Sequence, residues 1–489
     1  MGLVAGVVVV NVVLAAVGYC VLSPALRGRS ALTYASYGGV ALLVGTGLVP
    51  LVLEMLAPTG LHLGLAAFAV VAAVLAAAGL GARRFLRLDA DPRRATPPRT
   101  RLEDAIVTAA AFGIVAILGI GLVGGFRASP WLDDTWYFWL PKGRALDLVG
   151  LDPRLWTPKP SLHMLFGHDS ESLTFIRPDN PLWWSILLNL EMRFVNSVDL
   201  RAVNGELAFL MIGFVGAAAR LLWGHVRLSI LLPALLVLLS APEFLRQAQG
   251  GDADVPLAIY LALAILCAAG WLALRSGFAL ALFTVFAATA VAIKSEGVLE
   301  LVLDLAIVSV VAWRARRALL PLWAAAAAAV ATGIPWYGWR AANDIPNVFS
   351  LRNALSPSYL RDHTYLLHGG LRILGDHLTS VREWSLIVPL AVLLGLLGFV
   401  RERRLPWLAP AAFLGFGYIL FVWISWADPE GAFRLVASAY RYVTPPIVLA
   451  GIFLPVLGER LARTQTWFRK DPRDRPVVSD GRTGKARAS

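Results

Sequence analysis

The chain has 489 residues, 58% of them hydrophobic and only 16% charged. Soluble proteins carry roughly 25% charged residues, so the composition excludes an ordinary soluble domain and places the chain in a membrane. The net charge of +12 is no nucleic-acid signal. The arginines concentrate in short loops between apolar runs, as expected of residues held on the cytoplasmic side.

The runs at 61–80 and 105–125 are apolar over the length needed to cross hydrocarbon. They lack the alternation of a β-barrel, so the spans are helical and the fold is an all-α polytopic membrane protein. Spans of roughly 17–25 residues give about 13 helices. They fall at 3–22, 32–53, 61–82, 105–126, 201–222, 229–242, 255–274, 278–293, 297–313, 319–339, 384–400, 407–426 and 443–457. Cys20 and Cys267 both lie inside apolar runs, so no structural disulfide is expected.

Arginine placement sets the orientation. Arg27 and Arg29, the basic stretch 83–101, Arg314 to Arg317 and Arg401 to Arg404 mark cytoplasmic loops. An odd number of spans then puts the N-terminus outside and the C-terminus in the cytoplasm, in a cell's inner (plasma) membrane. Three units follow. Residues 1–103 form an N-terminal three-helix extension with a basic cytoplasmic loop, 104–458 a transmembrane core, and 459–489 a basic tail expected to be disordered. The segment 181–195 is apolar on one side and carries Asn189, Glu191 and Arg193 on another. It reads as an amphipathic helix lying at the outer surface.

Nearly all the polar chemistry falls on the outer side. Residues 129–146, S-P-W-L-D-D-T-W-Y-F-W-L-P-K-G-R-A-L, place Asp133 and Asp134 at the exit of a span. Aromatic rings of the kind found at headgroup level follow, and then Lys142 and Arg144. Asp133-Asp134-Thr135 suits a helix cap. Two adjacent carboxylates beside hydrocarbon also suit base chemistry, because burial disfavours their charged forms. Asp179 sits in the knot R-P-D-N-P, which reads either as a proline-fixed turn or as a further carboxylate in the same cleft.

Asp252 and Asp254 open a span at a helix N-terminus, where the dipole favours acids. Lys294 and Glu296 join two spans outside, and Glu296, Glu300 and Asp304 follow at helical spacing. Acids at such depth are functional candidates. Arg340, Arg434, Arg441 and Tyr442 complete the outer set; an arginine fork matches phosphate oxygens, while snorkelling is the structural alternative. The histidines show no metal-ligand spacing, and no nucleotide-phosphate loop is present.

Taken together, D-D-T-W-Y-F-W-L-P-K-G-R-A-L at 133–146, R-P-D-N-P-L at 177–182, G-D-A-D-V-P-L-A at 251–258, I-K-S-E-G at 293–297 and R-Y-V-T-P at 441–445 resemble a family. The chain is similar to bacterial membrane glycosyltransferases of the C-fold (GT-C) class, of the dolichyl-phosphate-mannose–protein mannosyltransferase (family 39-like) group, over roughly residues 105–457. The resemblance implies a GT-C-like core, an outer-face active site and a polyprenyl-phosphate sugar donor. It also implies a glycan, lipid or protein acceptor, with membrane lipids as the surroundings and no nucleic acid. An acid after the first core span would be the catalytic base. Relatives often have W-D-A-L where this chain has Asp133-Asp134-Thr135-Trp136, so Asp134 matches the commoner acid, and Asp133 stays open as the first of an acidic pair. The substrate-binding set would be Lys142, Arg144, Asp179, Asp252, Asp254, Lys294, Glu296, Arg340, Arg434, Arg441 and Tyr442. No cofactor is demanded; a divalent cation is the one candidate. The alternative is a lipid-linked polysaccharide transporter, polymerase or ligase, in which Glu300 and Asp304 or the outer arginines would do the work.

Overall fold

The computed structural model describes residues 2–86, 88, 99–130, 135–148, 150–151, 180–197, 199–345, 351–428 and 431–463. Among them the structure is helical, apart from one isolated bridge between Trp223 and Val226. The first half contains α1 (Leu3–Leu26), α2 (Gly38–Leu56), α3 (Leu65–Phe85), α4 (Arg101–Gly125), α5 (Leu140–Leu148), α6 (Trp183–Val195), α7 (Arg201–Leu222), α8 (Leu228–Leu239) and α9 (Pro242–Ala248). The second half contains α10 (Asp254–Leu274), α11 (Gly277–Ile293), α12 (Glu296–Val311), α13 (Leu319–Ala331), α14 (Ile334–Ala342), α15 (Thr364–Thr379), α16 (Ile387–Glu402), α17 (Ala409–Ala427), α18 (Gly431–Tyr442) and α19 (Thr444–Arg463).

Every apolar run read as a span is helical, but not every helix is long enough to cross. Among the described residues, eight helices have the length and composition of membrane spans, or up to ten if two bent pairs each count as one. α8 and α9 meet at 64°, and α13 and α14 at 40°. Proline explains both breaks, since it sits in the first turn of α9 and of α14, where a helix can begin but cannot continue from a preceding turn. α11, α12 and α16 have only 17, 16 and 16 residues. At 1.5 Å per residue they cover about 24–26 Å, short of a hydrocarbon core of about 30 Å. By length and composition the described residues thus hold eight to ten candidate spans, fewer than the 13 or so expected.

The N-terminal helices are built into the same body as the rest. α1 crosses α2 where Gly18 meets the Ala41 backbone and Gly45 meets the Leu14 backbone, so a side chain at either glycine would hold the helices apart. α2 in turn packs on α6, α7 and α11. α10 is buried along most of its length between α11 and α19. α4 instead exposes Phe112, Val115, Ile120 and Val123, the arrangement of a helix that faces lipid. α19 runs to Arg463 and pairs Arg460 with Glu402 at 2.8 Å, so helix continues past the expected start of the tail at 459.

One helix is not where its sequence pattern placed it. The segment read as a surface amphipathic helix is α6, and Trp183 through Met192 are all buried against α1, α2, α5 and α7. Two of its polar residues find hydrogen-bond partners inside the protein. Asn189 donates to Leu63 O at 3.4 Å, and Ser185 donates to Trp139 O at 3.2 Å. Polar side chains that look like a solvated face are here the bonds that fix a buried helix.

Candidate functional site

The site is built on the turn that starts α10. Gly251 has φ +84°, a left-handed conformation that favours glycine, and a Cβ there would lie 2.7 Å from the Thr135 side chain and 2.9 Å from Pro130 Cβ. The close approach is used: Thr135 Oγ1 donates to Gly250 O at 2.9 Å, and Trp184 Nε1 donates to Gly251 O at 3.1 Å. Thr135 opens a short π-helix, Thr135–Trp139, that leads into α5. Such single π-turns recur at functional sites. The chain that leaves Asp133 and Asp134 is thereby fastened to the α9–α10 turn. Asp133 and Asp134 themselves lie outside the described residues, as does Asp179.

Two buried ion pairs follow from that turn. Lys294 Nζ lies 2.8 Å from Asp254 Oδ1 and donates to it. The Arg441 guanidinium donates to Asp252 Oδ2 and to Ser438 Oγ on its own helix. Asp254 also lies within the field of Arg441, so the two pairs form one network. Lys294 sits in extended backbone between α11 and α12. Burial alone would push its ammonium down, but the Asp254 carboxylate outweighs this and holds it above the ordinary lysine range. Its charge therefore persists at any physiological pH. Next to it, Ser295 N reaches Asn180 Oδ1 at 3.5 Å.

A second group adjoins this network. Leu182 N donates to Glu54 Oε1 at 3.2 Å, which ties the end of α2 to the start of α6. Lys142 is fully buried, 5.2 Å from the Trp139 ring centre, and within electrostatic reach of Glu54. The Tyr337 hydroxyl lies within the fields of Glu54, Arg340 and Glu296. Arg340 is buried and reaches Ile345 O at 3.5 Å.

The structure thus brings together Lys142, Asp252, Asp254, Lys294, Glu296, Arg340 and Arg441. Arg144 lies half-buried on α5. Tyr442 stacks on Phe421 with ring centres 5.2 Å apart, and so serves packing within the bundle. Arg434 lies on α18, and its side chain is not among those described. Glu54, Tyr337 and Ser438 were not read as site residues from the sequence. Glu54 carried a signal, since it is a lone acid near the end of an apolar run. Tyr337 and Ser438 carried none.

Among the described residues, no three His, Cys, Asp or Glu side chains come together as metal ligands. What the arrangement offers is charge. Four cations, Lys142, Lys294, Arg340 and Arg441, and four acids, Glu54, Asp252, Asp254 and Glu296, lie in a largely buried cluster, where fixed charges act more strongly than in solvent. No protein-family model matches the chain, and no curated protein or solved structure matches it either.

Proposed function

We propose that the protein is a membrane glycosyltransferase with a GT-C-like core, moving a sugar from a polyprenyl-phosphate donor to an acceptor on the outer face of the plasma membrane. One observation carries the reading. The five sequence segments that resemble the family are far apart in the chain, yet contacts join them in one place: Thr135 with Gly250, Lys294 with Asp254, Arg441 with Asp252, and Ser295 with Asn180.

In this reading Asp134 or Asp133 takes the proton of an acceptor hydroxyl, whose oxygen attacks the anomeric carbon. The bond from that carbon to the phosphate oxygen breaks, and the lipid phosphate leaves with the electron pair. Lys142, Lys294, Arg340 and Arg441 supply the positive field that stabilises the leaving phosphate. Asp252 and Asp254 keep Arg441 and Lys294 in place before the donor arrives. The donor stores its energy in the phosphate linkage, so the site needs no nucleotide.

Asp134→Asn keeps the shape and capping ability of the acid but accepts no proton at neutral pH. Transfer from synthetic polyprenyl-phosphate hexoses or pentoses by the purified protein should fall by about 10²–10⁴-fold. Asp133→Asn should lose less if it only orients its neighbour, and more if the roles are reversed. Wild-type rates in both variants would remove the acids from catalysis. Uptake of a lipid-linked glycan into vesicles that survives both substitutions would favour a transporter, for which Glu300 and Asp304, buried on α12, are the coupling candidates.

A further inference from the structure

Beside the candidate site, the chain that joins α15 to α16 carries exposed apolar side chains at the depth of a membrane surface. α15 lies against α17 and α18 and buries Leu366, Gly370 and Leu374, which follow one another at single helical turns. Two hydrogen bonds set its level along α17. Trp426 Nε1, next to the end of α17, donates to Leu360 O at 2.8 Å. The Tyr418 hydroxyl, midway along α17, donates to Leu371 O at 2.6 Å. Between those bonds the chain descends about 12 Å along α17, at 1.5 Å per residue.

At that lower level α15 gives way to the short helix Val381–Trp384, and α16 begins at Ile387. With 16 residues α16 covers about 24 Å, some 6 Å less than the hydrocarbon it would cross. Apolar cover is therefore needed just ahead of Ile387. Val381 and Leu386 are exposed there, and Leu371 of α15 is exposed beside the Tyr418 bond.

Cations stand among these apolar side chains. Arg372 follows Leu371, and Arg382 follows Val381. Both are exposed, and neither makes an ion pair among the described residues. The nearby acids are Glu383, whose Oε2 lies 2.9 Å from His377 Nδ1, and Asp376, which is exposed. An arginine at the edge of hydrocarbon keeps its charge and lays its stem along apolar surface. The anion present at that depth is a lipid phosphate, whose oxygens match the guanidinium fork.

From this geometry we infer that the α15–α16 junction is a phospholipid-binding surface in the leaflet at the site's end of the bundle. Leu371, Val381 and Leu386 lie among the acyl chains, and Arg372 and Arg382 take the phosphate of an anionic phospholipid. The surface adjoins the candidate site through His377, whose ring centre is 6.2 Å from that of Tyr440, the residue before Arg441. It does not depend on what reaction the site performs.

The test uses the full-length protein, with Cys20→Ala and Cys267→Ala, in liposomes of phosphatidylcholine with or without phosphatidylglycerol. Spin labels on Leu371→Cys, Val381→Cys and Leu386→Cys should relax strongly with oxygen and weakly with a water-soluble nickel chelate. A label on Ser358→Cys, toward the end of α17, should do the reverse. Spin-labelled phosphatidylglycerol should show a protein-bound population, and Arg372→Gln with Arg382→Gln should weaken its binding roughly tenfold. Nickel access at the three apolar positions would overturn the proposal, since the junction would then lie in water. Labels shielded from both reagents and broadened by one another would overturn it too, because a second copy of the chain would cover the face. Unchanged phosphatidylglycerol binding in the double variant would remove the arginines from the site. If that variant fails to fold, wild type decides: a preference for phosphatidylglycerol over phosphatidylcholine that high salt leaves intact would overturn the charge pairing.

Discussion

Both ends of the helical bundle pair basic side chains with carboxylates, but they do so in different environments. At one end Arg227 lies between Glu103 and Glu459 and Arg99 faces Asp104, while Arg460 and Glu402 make one buried pair beside them. Arg227 keeps 31% of its side chain exposed and Arg99 keeps 45%. At the other end Lys294 with Asp254 and Arg441 with Asp252 keep no more than 11% of any side chain exposed. Water and salt reach the exposed arginines of the first set and screen their charges. The second set has lost its water, and its charges persist only because each has a partner in place. The same residue types therefore meet solvent in one set and make a candidate binding site in the other.

The largest effect should come from asking which end faces outward. Single cysteines at Ser170 and Ser356 should be labelled by an impermeant thiol reagent in intact cells, and one at Ala95 should be labelled only after the cells are opened. The outcome is nearly all or none. Labelling of the Ala95 cysteine in unbroken cells would put the buried ion pairs on the cytoplasmic side.

Next in size is the cost of breaking a buried pair. Lys294→Met removes the ammonium 2.8 Å from Asp254 Oδ1 and leaves a carboxylate in an apolar setting. The expected loss is about 3–5 kcal/mol of stability, read from reversible unfolding in detergent. Lys294→Met combined with Asp254→Leu should recover most of it, since replacing both charges by apolar side chains is often neutral. A double variant as unstable as the single one would mean that the pair's role is to hold up the wider network with Arg441, and not each partner alone.

The sequence made the frame legible because hydrophobicity over a span length is a one-dimensional property. Each apolar run from 3–22 to 443–457 became a helix. The convergence of Asp252, Asp254, Lys294, Glu296 and Arg441 was legible for a related reason, since each lies at the end of a span and span ends must gather at one of two faces. What pattern alone did not reveal was depth. Asn189 and Glu191 make α6 look half-solvated, although the helix is enclosed on all sides. Burial of a short helix depends on neighbours such as α1 and α7 that are remote in sequence. Glu54 was missed likewise, because its role depends on the approach of Leu182, 128 residues away.

The smallest effect is expected at the exposed end. Arg99 Nε lies 3.3 Å from Asp104 Oδ1, but the two side chains are 45% and 57% exposed. Water solvates both charges whether or not they meet, and Asp104 retains a favourable place in the first turn of α4, near the positive end of the helix dipole. The Thr100–Glu103 capping box that starts the helix does not involve Arg99. Arg99→Ala should therefore change stability by no more than about 0.5 kcal/mol, and 0.5 M salt should shrink even that, because exposed charges are screened. The same unfolding assay used for Lys294→Met sets the two side by side. If Arg99→Ala destabilised the protein as much as Lys294→Met, exposure would not be what separates the two ends. A near-silent Arg99→Ala beside a disruptive Lys294→Met would tie the difference to burial, since both substitutions remove one positive charge from a paired carboxylate.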